Sequence, residues 1–169
     1  MTGMFPFYEH PMKEQLIQIQ ESMKKAGASP SPIYQYVINH GIPFSKIRLT
    51  PEEVKILEAS KQKFVFKEYT CFYNAMMMWL FDNRLKYCEG FCSAFEEKII
   101  YPTYHSWNVL HDKLVDVTPP ERYQYFGVIF PDEVTDKYIQ RGLKEETITP
   151  IIDDYIHHHE FLREKGYIK

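Results

Sequence analysis

A thiol, an imidazole and a carboxylate follow one another through the middle of this chain. Cys71 opens the apolar run Cys71–Phe81, His105 heads a His-Ser-Trp-Asn stretch ending at Asn108, and Asp116 lies within Val-Asp-Val-Thr, residues 115–118. A thiol of ordinary pKa is mostly protonated at neutral pH, and only the thiolate attacks well. Enzymes lower that pKa by placing the cysteine at a helix N-terminus beside an imidazolium. Cys71 begins a helical pattern just after Thr70, a candidate N-cap, where the helix dipole favours the thiolate by about 0.3–1 kcal/mol. The set therefore suits a nucleophile, a general base and an acid that orients the base.

Strand parity tests whether the imidazole and the acid can meet. With His111-Asp112 as a two-residue hairpin loop, Leu110 lies opposite Lys113, Trp107 opposite Asp116 and His105 opposite Thr118. Side chains alternate at period two, so His105, Trp107 and Asp116 project from one face, with Asp116 the diagonal neighbour of His105. A slip of one residue would put the acid on the other face. Three further residues are candidates for supporting this site. Asn74, one helical turn after Cys71, would shape it or bond a neighbouring loop. Trp107 would pack around the three groups. Glu89, between Cys88 and Gly90 on a strand, needs a partner if buried, and a core Lys or Arg is expected rather than a cationic substrate group.

Helices are expected to frame this centre. Residues 12–26 carry Leu16, Ile17, Ile19 and Met23 at helical spacing and end in Lys24-Lys25 before Gly27. After a Ser29-Pro-Ser-Pro32 hinge, a short helix starts at Ile33, Tyr34 and Val37 and stops near Gly41. Thr50-Pro-Glu-Glu53 combines an N-cap, a first-turn proline and a capping-box glutamate, so a helix runs to about Ser60. Lys63–Lys67 reads as a short strand or an extended lead-in. The Cys71 helix is apolar almost all round, which predicts burial. Strands follow at about Tyr87–Phe95, Tyr104–Leu110, Leu114–Val117 and Tyr125–Phe130, separated by Pro119-Pro120 and closed by Pro131. Helix returns over Glu133–Arg141, ending at Gly142, and over a longer amphipathic stretch from about Pro150 to Lys165. The fold class is α+β: a core helix carrying Cys71 on a small antiparallel sheet, flanked by N- and C-terminal helices. A single domain over 1–169 divides into N-terminal helices to 62, a core over 63–130 and C-terminal helices from 131.

Composition narrows the function. With 169 residues, 44% of them hydrophobic, the chain suits one well-buried domain. Its 13 Tyr, 12 Phe and 2 Trp argue against disorder, and a net charge of −3 with scattered Lys and Arg argues against nucleic-acid binding. An odd count of three cysteines fits a reducing compartment, and residues 1–10 lack the pattern of a secretory leader. No apolar run approaches the length that spans a bilayer. A cytoplasmic protein without membrane or nucleic-acid partners is expected. Cys88 and Cys92, with Cys71 and His105, can be drawn as a zinc site. However, both lie on a strand rather than the tight knuckle that structural zinc prefers, so no metal is expected. His157-His-His159 points three ways on a helix and reads as a solvated face. Without a Gly-rich phosphate loop, no cofactor is expected either.

The pattern Cys71-Phe-Tyr-Asn-Ala75, Tyr87-Cys-Glu-Gly-Phe91, His105-Ser-Trp-Asn108 and Val115-Asp-Val-Thr118 resembles the transglutaminase-like branch of the papain-like cysteine enzymes, over about residues 68–130. The resemblance implies a nucleophilic Cys71 at the start of a core helix, with the base His105 and the orienting Asp116 on adjacent strands. Substrate class does not transfer from the family. The triad itself leads to the expectation of an acyl-enzyme on a peptide, protein or small amide substrate, resolved by water rather than an amine because water is the default acceptor. The chain departs from the family before the nucleophile, where Gly or Gln is frequent and Lys67-Glu-Tyr-Thr70 stands here. That departure leaves the oxyanion hole unassigned beyond the Cys71 backbone N–H. The competing expectation is a non-catalytic module of the same fold that binds a protein partner.

Overall fold

A computed structural model describes residues 10–96, 101–154 and 157–169. Residues 1–9, which hold most of the stretch read for a leader, lie outside the described residues. So do Tyr155 and Ile156, in the stretch expected to form the last long helix.

Six α-helices and five β-strands make an α+β fold among the described residues. The order is α1 (Pro11–Lys25), α2 (Pro32–His40), β1 (Ile42–Phe44), α3 (Pro51–Lys61), α4 (Cys71–Phe81), β2 (Leu85–Ser93), β3 (Thr103–Leu110), β4 (Lys113–Val115), β5 (Tyr123–Ile129), α5 (Asp132–Lys144) and α6 (Glu160–Glu164). The starts of the early helices are written in their caps. Ser31 accepts from the Tyr34 amide, and Thr50 with Glu53 closes a full capping box behind Pro51.

The sheet is antiparallel in the order β1-β5-β2-β3-β4. Leu110 pairs with Lys113 across the His111-Asp112 turn, both of whose residues have positive φ. The register expected from parity is therefore the observed one, although the ladder stops at Val115 instead of reaching Val117. β1 was not expected from the sequence. Its Pro43 has no N–H to give a second neighbour, so the strand occupies an edge. Lys63–Lys67 forms no strand: it starts in a turn and bend at Lys63 and Phe64 and reaches α4 through a second turn at Glu68 and Tyr69.

The sheet must curl. β5 and β4 are separated by β2 and β3, about 14 Å of flat sheet at ordinary strand spacing. Yet the Tyr125 hydroxyl on β5 reaches the Asp116 carboxylate just after β4, at 2.7 Å. On the concave face Cys88, Cys92, Trp107, Val109, Leu114 and Tyr125 form a core with Phe44 of β1 packed against it. The convex face carries α4, α1, α2, α5 and the C-terminal segment over Tyr87, Phe91 and Phe126. With both faces covered, β2 shows no polar alternation: every residue from Tyr87 to Ser93 is buried.

The C-terminal third departs from expectation. α5 runs through Gly142 to Lys144, so this glycine is not a stop; it leaves room for the Thr147 carbonyl, which a Cβ there would meet at 2.8 Å. Among the described residues of the helix expected from Pro150 to Lys165, only Glu160–Glu164 are helical. Residues 151–154 are irregular, and His158 and His159 both have φ of 57°, left of any helix.

Gly90 and Gly127 face each other across the β2–β5 ladder, and Gly90 also pairs with His105. A Cβ on Gly127 would lie 2.4 Å from the Glu89 carbonyl and 2.6 Å from the Trp107 ring. Gly127→Ala is expected to lower stability by about 1–3 kcal/mol through overpacking. Urea denaturation checks this, and an unchanged midpoint would refute so close an approach.

Candidate active site

Four consecutive residues of β3 organise the centre. His105 and Trp107 point to the concave face, while Ser106 and Asn108 point to α4. The Asn108 side-chain amide donates to the Ala75 carbonyl at 2.9 Å, which fixes α4 along the strand. Cys71 precedes Ala75 by four residues on the same helix face. Four helical residues rise about 6.0 Å, close to the two-residue repeat of a strand, so Cys71 comes to rest beside His105 and Ser106.

The loop before α4 is built to present that cysteine. Asn74 turns back on it, accepting from the Lys67 amide at 3.1 Å and donating to the Lys67 carbonyl at 2.8 Å. Its amide also donates to Thr118 Oγ1 at 3.2 Å, joining the loop to the segment after β4 that carries Asp116. The bond to a neighbouring loop expected of Asn74 is thus made by one buried side chain. Thr70 holds the N-cap position, but its hydroxyl donates to Lys67 O at 2.9 Å and caps nothing. The first-turn amides of α4 are left without a capping side chain, and the half-buried Cys71 is the first of them.

His105 is buried, and its Nε2–H donates to Asp116 Oδ2 at 2.7 Å. The carboxylate is itself held: Oδ1 accepts from the Thr118 amide at 3.0 Å and Oδ2 from the Tyr125 hydroxyl at 2.7 Å. With Nε2 committed, Nδ1 is the ring nitrogen left to face the Cys71 thiol, and the two groups favour each other's charged forms. Burial opposes the charge on His105, but Asp116 and Cys71 outweigh it and raise the imidazole from 6.5 to about 9. Burial likewise opposes ionisation of Cys71. The His105 ring, followed by the Ser106 N–H and hydroxyl, outweighs it, and the thiol sits below its ordinary value. Each group thus shifts the other toward its charged form, thiolate and imidazolium.

Trp107 is buried against Tyr125, with ring centres 5.2 Å apart, and lies 6.3 Å from the His105 ring. Tyr125 is the member of this network that sequence reading missed. It sits among other aromatics on β5, and only the curl of the sheet brings its hydroxyl to Asp116. Beside Asp116, Thr118 and Tyr125, a cavity of about 480 Å³ opens between the β4–β5 connection, α3 and the Lys46–Leu49 segment.

Glu89 does not take the cationic partner expected of it. Its buried carboxylate accepts from the hydroxyls of Tyr87 and Tyr104, each at 2.6 Å, and from the amides of Ile151 at 2.5 Å and Ile152 at 2.9 Å. Burial in this cation-free setting raises its pKa despite the four donors. Its role is to hold the C-terminal segment on the sheet beside Tyr104, the neighbour of His105. Cys88 and Cys92 are buried in the concave core with their thiols raised by burial, and no metal-ligand cluster occurs among the described residues. His157 pairs with Glu145 at 2.7 Å and His159 with Asp153 at 3.2 Å, on separate carboxylates.

No family model matches the chain, and none of the curated proteins or solved structures compared with it does so. No helix among the described residues is long and apolar enough to cross a membrane.

Glu89→Gln replaces an acceptor of four hydrogen bonds with an amide whose NH2 faces donors. It is expected to lower stability by about 2 kcal/mol or more and to speed hydrogen exchange at the Ile151 and Ile152 amides. Unchanged exchange at both amides would refute the clamp.

Proposed function

We propose that the chain is a thiol-dependent acyl-group enzyme of transglutaminase-like type, which hydrolyses an amide or peptide bond through an acyl-enzyme on Cys71. The observation that carries this reading is the alignment of the half-buried Cys71 with His105 and a carboxylate held on both oxygens. In this reading the Cys71 thiolate attacks the substrate carbonyl carbon and the carbonyl oxygen becomes an oxyanion. The backbone N–H of Cys71, at the uncapped start of α4, is the donor available to it. The imidazolium gives its proton to the departing amine as the C–N bond breaks, leaving a thioester. Water then loses a proton to His105 and attacks the thioester, releasing the acid and restoring the pair. Asp116 keeps the His105 ring in place and stabilises its charge throughout. Substrates are peptides, proteins or small amides, and the enzyme acts in the cytoplasm, where its three unpaired thiols stay reduced.

Iodoacetamide labelling reads the pair directly, because Cys88 and Cys92 are fully buried and Cys71 is not. The labelling rate of the native protein is expected to rise with an inflection well below the free-thiol value of about 8.5. In His105→Ala the inflection should move to the free-thiol range or above it, since burial then acts unopposed by the imidazolium. Hydrolysis of a substrate should rise over the same acid limb and fall as pH passes about 9, where His105 loses the proton it gives to the leaving group. Slow labelling that ignores His105 would refute the enzyme and leave a scaffold that binds a partner.

A further inference from the structure

Among the residues that line α4, Ser106 has an environment that packing alone does not explain. It is 1% exposed, and its hydroxyl has no hydrogen-bond partner of good geometry. A buried hydroxyl left in that state costs about 1–3 kcal/mol on protein scales. An alanine would fill the same space without that cost. What lies over the hydroxyl is the first turn of α4, and both the hydroxyl and the Ser106 amide act to lower the Cys71 pKa. The position follows from the packing of α4 on β3. Asn108 is bonded to Ala75, and stepping back two residues on the strand and four on the helix sets Ser106 against Cys71. His105 and Ser106, though successive, leave opposite faces of β3, so the thiol meets an imidazole on one side and a hydroxyl on the other.

We propose that Ser106 is a further catalytic residue of this site: its hydroxyl donates to the Cys71 thiolate and stabilises the nucleophile in its charged form. The inference rests on the reading of Cys71 as the nucleophile. A thiol is a poor acceptor, so the Ser106 hydroxyl has no strong partner while Cys71 is protonated. Loss of the thiol proton to His105 creates an anionic acceptor a short rotation of the hydroxyl away. The bond therefore belongs to the ion pair rather than to the neutral pair, which is the condition for favouring ionisation. After attack the sulfur is a thioether-like acceptor again and the hydroxyl is released.

The test titrates the thiolate of Cys71 by its ultraviolet absorbance and by iodoacetamide labelling, in the native protein, Ser106→Ala, Ser106→Gly and His105→Ala. A hydrogen bond to a charged group is strong enough to move a titration by about one pH unit. Ser106→Ala is expected to raise the Cys71 inflection by about that amount while leaving thermal stability unchanged or higher, because an unpartnered hydroxyl is removed. Ser106→Gly deletes the same hydroxyl and should give the same shift if the alanine variant folds poorly. A purely structural serine would leave the inflection in place. An inflection unmoved in both serine variants but moved in His105→Ala overturns the role of Ser106 and keeps the thiol–imidazole pair. An inflection unmoved in all three overturns both.

Discussion

The hydrogen bond from the Asn108 amide to the Ala75 carbonyl sets the register between α4 and β3. A helix on a sheet can slide along the strand beneath it unless a polar contact fixes it, since apolar packing is nearly indifferent to small shifts. α4 is apolar on almost every face, with Met76, Met77, Met78 and Trp79 all buried, so its side chains specify burial much better than position. Asn108 supplies the position. Cys71 then meets the two residues that precede Trp107, and Asn74 meets Thr118 in the segment after β4. The Trp79 indole completes the alignment at the far end of the helix by donating to Asp132 at the start of α5.

A second constraint comes from curvature. The concave face collects an imidazole, an indole and a phenol around one carboxylate, and each comes from a different position in the sheet. His105 and Trp107 lie on β3, Asp116 follows β4, and Tyr125 arrives from two strands away on the far side of β2. The glycine pair Gly90 and Gly127 allows this, because the Trp107 ring occupies the space where a Cβ on Gly127 would stand. The orientation of His105 is thus a property of the whole sheet rather than of the hairpin that carries it. Tight apolar packing on one side and full hydrogen bonding of Asp116 on the other leave the ring little freedom, as the proposed proton exchange with Cys71 would require.

The polar interior divides into groups that are satisfied at rest and groups that are not. Glu89 receives four donors, Asp116 three and Asn74 three partners, and these side chains hold segments together across long stretches of sequence. Ser106 is the exception beside the thiol. A site that must hold a charge during reaction gains from a donor that waits, and a fully paired interior has none to lend.

Local sequence carried a large part of this protein. Thr50, Pro51 and Glu53 wrote a helix start that needed no tertiary help, because every bond of a capping box closes within four residues. Two-residue alternation through the His111-Asp112 turn placed His105 and Asp116 on one face, because hairpin register is a local property. What local pattern could not carry was decided by partners far along the chain. The amides of Ile151 and Ile152 serve Glu89, 62 and 63 residues away, instead of continuing a helix. Asp154, neutralised by Arg141, accepts from the His157 amide and turns the chain into the left-handed His158 and His159. Helical periodicity in that stretch was real, but a buried carboxylate in need of donors is worth more than a few marginal turns of helix. Tyr125 and Ser106 escaped notice for the same physical reason: an ordinary tyrosine and serine acquire a role only when the curled sheet and the docked helix bring them to Asp116 and Cys71.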